Sequence, residues 1–222
     1  MITVLIMTDG RREYFRKTYD SLWSKVHGFD NILIHDDSGD PDYHHWLSGY
    51  YNTTETTIYY TGQRSGFGGA IISAWDQLRK TDADWVFHLE EDFTFNKHID
   101  LQAMQKVLMA KPHIVQMALR RQPWNDIEVE AGGVIEVQPE SYLEWTDETD
   151  YWLQHRNFFT TNPSLYGRSL IDYHEWPNCD RSEGIFSVEL FEDPTIVSAY
   201  WGSRDSGEWV THIGQQRKGT GY

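Results

Sequence analysis

The chain has 222 residues and a formal charge of −15, from 34 Asp+Glu against 19 Lys+Arg, a field that repels polyphosphate and argues against a nucleic-acid groove. At 39% hydrophobic and 15% aromatic, with 10 Trp and 13 Tyr, it carries too much apolar surface to stay disordered, and its length suits one continuous domain over residues 1–222. Cys179 is the only cysteine, so there is no intrachain disulfide and a reducing, cytoplasmic setting is expected. The longest apolar run, Val4 to Met7, is far below the roughly 18–20 residues of a membrane span, and no basic-then-apolar leader opens the chain.

The first half alternates strand and helix patterns. Ile2 to Met7 reads as a buried strand, broken by Thr8-Asp9-Gly10. Tyr14, Phe15, Tyr19, Leu22, Trp23 and Val26 then recur at helical spacing until Gly28. Asn31 to His35 is a second strand; Tyr43, Trp46, Leu47, Tyr50 and Tyr51 share a second helical face. Thr57 to Tyr60 and Trp85 to Leu89 are further strands, with a helix marked by Ile71, Ala74, Trp75 and Leu78 between them. Strand starts at 2, 31, 57 and 85 are 29, 26 and 28 residues apart, the length of a βα unit. The spacing predicts a mainly parallel sheet with helices on its faces. Beyond it, a helix around Leu101 to Leu108 and a strand from His113 to Leu119 precede residues 120–162, which read as an irregular substrate-side lobe of hairpins and loops. A short helix from Glu183 to Phe191, a strand near Thr195 to Tyr200 and a polar tail from Gly214 complete the chain.

In parallel sheets of this kind ligands gather at the carboxyl ends of the strands. There the sequence places Thr8-Asp9-Gly10, Asp36-Asp37, the stretch Arg64-Ser65-Gly66-Phe67-Gly68-Gly69, and Glu90-Glu91-Asp92. Three adjacent carboxylates after a buried strand call for a cation, and their hard oxygens point to Mg²⁺ or Mn²⁺; a solvated acidic turn is the alternative. The glycines suit close approach of backbone to a ligand at a helix start, or equally a tightly packed turn. Neither the P-loop spacing nor the dinucleotide-binding fingerprint is present.

Taken together, T-D-G after the first strand, I-L-I-H-D-D-S-G-D, R-S-G-F-G-G-A and F-H-L-E-E-D-F resemble the nucleotide-sugar half of GT-A fold glycosyltransferases of the family 2 type, over roughly residues 2–95. Small stand-alone bacterial or phage-encoded members are the nearest in character. Arg64 stands where that family often has Asn, Ile72 replaces a frequent second Asn, and Glu90-Glu91-Asp92 replaces D-x-D. The resemblance implies an α/β GT-A fold with a donor-binding half (1–100) and an acceptor-side half (101–222) closed by the C-terminal tail. It implies transfer of a sugar from a nucleoside diphosphate, a UDP-sugar first among them, to a glycan or protein hydroxyl, with Mn²⁺ or Mg²⁺ and inversion at the anomeric carbon.

Carried over residue by residue, Thr8, Asp9 and Asp37 would hold the base and ribose, with Arg64 assisting and Gly66 and Gly68 letting the donor approach. Asp92 and His212 would bind the cation, Glu90 or Glu91 the ribose or a water, and Arg217 with Lys218 the diphosphate. Glu183 is the expected catalytic base, with Ser182 as its helix cap and Asp180 as principal rival; a helix-start carboxylate or a surface histidine would explain Glu183 and His212 without function. Trp124, Trp145, Trp152 and Trp176 are read as sugar platforms or, for most, core. A sugar nucleotidyltransferase shares this layout but opens with a basic triphosphate-gripping loop, where this chain has only Asp9-Gly10-Arg11-Arg12. A non-catalytic carbohydrate-binding module leaves the acidic cluster without a task.

Overall fold

Val4 and Ile6 of the first strand face one apolar layer and Leu5 the other, because successive side chains leave a strand on opposite sides. That strand, β1 (Ile2–Thr8), is the centre of a computed structural model that describes residues 1–179 and 181–214. After it come α1 (Arg12–Lys25), a short β2 (Val26–His27), β3 (Asn31–Asp36), α2 (Pro41–Tyr51), β4 (Thr56–Tyr60), α3 (Gly66–Leu78) and β5 (Trp85–Glu90). The periodic face of α1 continues into Val26, but the helix ends at Lys25 and Val26 is buried in β2. Asp40 caps α2 by accepting from Asp42 N at 2.9 Å, with Pro41 in its first turn.

The second half runs through β6 (Phe93–Phe95), β7 (Ile99–Asp100), α4 (Leu101–Ala110), β8 (Ile114–Ala118), α5 (Asp126–Ala131), β9 (Leu143–Thr146), β10 (Tyr151–His155), β11 (Ser164–Gly167), α6 (Arg168–Tyr173), α7 (Ser182–Leu190), β12 (Val197–Trp201) and β13 (Val210–His212). The main sheet has nine strands in the order β4-β3-β1-β5-β11-β8-β12-β10-β9. Strands β4, β3, β1 and β5 pair in parallel, as the spacing predicts. β11 is antiparallel to both its neighbours and β10 to both of its own, while β8 and β12 are parallel. Only β11 and β10 therefore run against the rest. The segment read as an irregular lobe of hairpins and loops does contain a hairpin, β9–β10, which extends the edge of this sheet with Trp152 and Leu153 buried.

One face of the sheet is covered by α1, α2 and α4 through Phe15, Leu22, Tyr43, Leu47, Met104 and Leu108. The other is covered by α3, α6 and α7, where Trp75, Trp176, Phe159 and Phe186 form an aromatic knot. The register pairs Thr8 with Asp36, Met7 with Glu90, and Asp36 with Tyr60, so four strand ends share one rim. No helix among the described residues is long and apolar enough to cross a membrane.

Phe186 is buried against Trp176 (ring centroids 4.6 Å), Phe159 (5.0 Å) and Trp75 (5.7 Å) and fixes α7 on the sheet. Phe186→Ala is expected to cost about 3–5 kcal/mol, read from chemical denaturation. A loss below about 1 kcal/mol would mean that α7 is held by something other than this knot.

Candidate active site

Glu91 continues the ladder beyond β5, its amide donating to Met7 O at 2.9 Å, and its carboxylate is buried beneath the rim. It accepts from the Thr8 hydroxyl, from Asp9 N at 3.0 Å and from Arg11 Nε at 2.7 Å; the Tyr43 hydroxyl meets that of Thr8 and lies 3.4 Å from Oε2. The Thr18 hydroxyl donates to its carbonyl at 2.6 Å. Arg11 then reaches across with Nη1 to Asp92 Oδ2, 2.7 Å. The crowding that calls for a cation is thus met partly from within the chain, by a guanidinium bridging two of the three acids. Arg11 is a residue that the sequence argument passed over. Its signal was there: a basic residue at a helix start, directly after the strand that pairs with the acidic one.

Asp92 meets His212 because β13 pairs with β6 in a two-stranded ribbon that sets His212 opposite Phe93. His212 Nε2 lies 3.3 Å from Asp92 Oδ2. The imidazole stacks on Phe93 (4.6 Å, 11°) and against Trp124 (4.0 Å, 32°). The Gln122 amide pairs with both backbone groups of His212, at 2.9 and 2.8 Å. Burial works against ionisation of Asp92, but the bond to His212 and the charge of Arg11 outweigh it and hold the carboxyl below its ordinary range. Asp92 Oδ1 is buried without a hydrogen-bond partner. A carboxylate oxygen with open lone pairs beside an imidazole nitrogen fits a divalent cation of the Mn²⁺ type. Among the described residues no group of three or more His, Cys, Asp or Glu side chains is arranged around one metal position. The described residues offer two ligands, and a diphosphate and water would have to complete the shell.

On the other side of β1, Asp37 is buried and its carboxylate accepts from Ser65 N (3.0 Å), Ser65 Oγ (2.6 Å) and Thr61 Oγ1 (3.2 Å), pinning the loop between β4 and α3. Arg64 ties that loop to the one after β1, with Nη2 2.6 Å from Asp9 Oδ1. Gly66 has φ +75° with open space around it, a conformation that favours glycine. Gly68 serves packing: a Cβ there would come 3.0 Å from Pro177 O. His44 stacks on Tyr60 (4.5 Å, 13°) with Nδ1 3.5 Å from the buried Asp36, making an aromatic wall beside this loop.

Glu183 enters from α7. Ser182, expected as the cap, is the first residue of the helix, and Arg181 precedes it in the left-handed region at φ 61°. Glu183 Oε2 accepts from Thr161 N at 3.1 Å and Thr161 Oγ1 at 2.7 Å. Burial raises its pKa against those bonds. Glu90, whose electrostatic neighbours are Asp92 and Glu183, is pushed up to about 8, chiefly by burial and then by the charge of Asp92. The structure therefore brings Glu90, Asp92, His212 and Glu183 to one end of the sheet, with Thr8, Asp9, Asp37 and Arg64 flanking β1. Asp180, Arg217 and Lys218 lie outside the described residues. Of the tryptophans, Trp152 and Trp176 are core, Trp124 is committed to His212, and Trp145 is half exposed on β9.

No family model matches the chain, and no curated protein matches it in sequence. Solved structures do match. S. aureus TarS 1-349 in complex with UDP-GlcNAc superposes with a TM-score of 0.64 at 15% identity, covering 98% of this chain and 59% of that one. The mannosyltransferase PcManGT from Pyrobaculum calidifontis, in complex with GDP-Man and Mn²⁺, gives 0.64 at 13% identity over 98% of this chain and 58% of its own. A CMP:2-keto-3-deoxy-manno-octonic acid synthetase complexed with CTP gives 0.53 at 13% identity, over 90% and 88%. The chain has the GT-A fold of nucleotide-sugar transferases. It spans about three fifths of the length of the first two proteins.

The Arg11 bridge has a measurable signature. Arg11→Ala leaves Glu91 buried without its cation and is expected to cost about 3–5 kcal/mol at neutral pH. An unpaired buried carboxylate keeps its proton, so the variant is stabilised below the ordinary carboxylate pKa and loses stability as pH rises through the elevated one. Thermal melts should show a wider gap to the parent protein at pH 8 than at pH 5; a gap that is constant or narrows with pH would remove Glu91 as the group concerned.

Proposed function

We propose that this chain transfers a sugar from a nucleoside diphosphate to an acceptor hydroxyl with inversion, its residues 1–100 serving the donor and its later half the acceptor. The observation that carries the reading is the meeting of Asp92 and His212 on the strand-end rim of a GT-A fold, with Glu183 beside Glu90 on the same rim. Support for the donor class comes from the UDP-GlcNAc and GDP-Man named with the matched structures. Thr8, Asp9 and Arg64 line the nucleoside side. Asp37 shapes that side through Ser65, and the His44–Tyr60 stack offers a flat wall to a base.

Asp92 and His212 would hold a Mn²⁺ or Mg²⁺ ion, which when bound supplies positive charge against that developing on the departing diphosphate. Arg217 and Lys218 belong to the same end of the chain and carry the same sign. Glu183, ionised, removes the proton of the acceptor hydroxyl as its oxygen bonds the anomeric carbon, while the bond from that carbon to the diphosphate oxygen breaks. Burial and the charge of Asp92 raise the pKa of Glu90, which favours its neutral form beside Glu183. Glu91 acts as the anchor of Thr8, Asp9 and Arg11 rather than by touching the donor. The exposed Cys179 suits a reducing compartment such as the cytoplasm.

A nucleotidyltransferase is the second reading, because the synthetase is matched over 88% of its own length. Against it, Arg11, the basic residue best placed after β1 to grip a triphosphate, is already bonded to Glu91 and Asp92. Incubation with a panel of nucleotide sugars and Mn²⁺ should release nucleoside diphosphate. Release of pyrophosphate from CTP and a free sugar acid, with no diphosphate from the panel, would establish the second reading instead.

Asp92→Ala should abolish transfer and the Mn²⁺ dependence of donor affinity in calorimetric titration; unchanged metal dependence would take Asp92 out of the site. Glu183→Gln should leave donor affinity nearly unchanged and lower turnover by a factor on the order of 10² to 10⁴. If Glu183→Gln keeps its turnover and Asp180→Asn loses it, the base is Asp180.

A further inference from the structure

The carboxylate of Glu183 is held from one side only. Oε2 accepts two bonds from a single residue, Thr161, through its amide at 3.1 Å and its hydroxyl at 2.7 Å. Thr161 lies in the connection from β10 to β11, residues 156–163, a segment without regular structure and so without a ladder to fix it. What fixes it is a buried polar network. Gln116 on β8, fully buried, accepts from Thr160 N at 3.1 Å and donates to Thr160 O at 2.6 Å, closing a two-bond ring on the residue before Thr161. The same amide nitrogen donates to Ser164 Oγ at 2.9 Å. From the helix side, Ser187, one turn after Glu183, accepts from Phe159 N at 2.8 Å. Residues 159–161 are thus strung between the central sheet and α7. Thr160 and Thr161 are each 5% exposed, so no bulk water competes for these groups.

A buried amide that matches both backbone groups of one residue imposes position as well as stability, since neither bond survives a shift of the segment. Both Thr161 bonds favour the ionised form of the carboxylate they meet, and both restrict its rotation. We propose that Thr161 is the positioning residue of the catalytic base, with Gln116 holding Thr161 in place from the opposite strand; this rests on the assignment of Glu183 as base. The network acts on Oε2 and leaves Oε1 for the acceptor hydroxyl, so the base meets its substrate with one fixed oxygen and one working oxygen. The titratable groups facing Glu183 are Glu90 from the end of β5, itself bonded to the Thr161 side chain, Arg121 beyond β8 and Tyr200 on β12, while His174 meets α7 further along, at Phe186.

The test uses the full chain and two readouts. In ¹³C-carboxyl NMR titrations, with the Glu183 signal assigned by its absence in Glu183→Gln, Thr161→Val should raise the pKa of Glu183 by about one unit, and Thr161→Ser should restore it. In turnover of UDP-GlcNAc and GDP-mannose with Mn²⁺, Thr161→Val should move the acidic limb of the rate profile up by the same amount and lower kcat about tenfold, with KM for the nucleotide sugar unchanged. Gln116→Leu should act in the same direction through the displaced segment, and it carries the test if Thr161→Val does not fold. An unmoved Glu183 titration in Thr161→Val, or in Gln116→Leu should that variant serve, overturns the positioning role. A moved titration with Glu183→Gln fully active leaves the geometry standing and overturns the assignment of the base, so the two failures are distinct. A change in KM with no change in kcat or in the pH limb also overturns the proposal, since it would place Thr161 in binding.

Discussion

Three consecutive acids at the end of β5 cannot share one rim without a cationic partner, and the rest of the site is arranged around how this chain supplies it. Arg11 stands between Glu91 and Asp92 at 2.7 Å from each, so the end of β5 and the start of α1 are held by the same guanidinium. A planar fork with several fixed donors can bridge two carboxylates in this way, whereas a lysine would meet one. Glu91 is satisfied by Thr8, Asp9 and Arg11, whereas its neighbour Asp92, buried as well, keeps one oxygen without a hydrogen-bond partner. The three acids differ in their surroundings: Glu91 is buried and fully bonded, Asp92 is buried with one free oxygen, and Glu90, half-buried near Glu183, has its pKa raised by burial and by the charge of Asp92.

The site draws on both halves of the chain. Asp92 closes the parallel unit, yet the imidazole it meets comes from β13, and that imidazole is oriented by Gln122 and Trp124 from the loop after β8. Trp124 is in turn tied down by Glu128, which accepts from its amide at 2.8 Å and from Arg121 at 2.6 Å. The region that carries the fewest regular elements is therefore the one that orients the imidazole. Irregular backbone can do this because each of its turns is pinned by a buried or half-buried side chain rather than by a ladder.

What could be read in advance divides along the same line. The strands β1, β3, β4 and β5 announce themselves through apolar runs at βα spacing, and the residues after them are legible because a parallel sheet puts all its carboxyl ends together. The antiparallel β11 was not legible: Ser164-Leu165-Tyr166-Gly167 is four residues long, and its place between β5 and β8 depends on partners remote in the chain. The edge hairpin was hidden for a related reason, since β9 is exposed along its whole length and shows no alternation. Asp92 and His212 could be named as a pair only through the resemblance. Thr161 and Gln116 had no signal at all, because a Thr in a loop and a Gln in a strand acquire meaning only when the two meet.

The same edge hairpin leaves one side of the sheet open. Among the described residues β9 is the last strand of the nine, so one side of its backbone has no partner, and Leu143 and Trp145 are exposed along it. An open edge with apolar side chains is a template for association. Glu144 and the turn residues Asp147, Glu148 and Asp150 surround it with negative charge, and the net charge of −15 repels at longer range. That protection is electrostatic and therefore conditional. It fades when salt shortens the screening length or when acid protonates the carboxylates, so colloidal stability, unlike the packing of the core, is a property that the protein shares with its buffer.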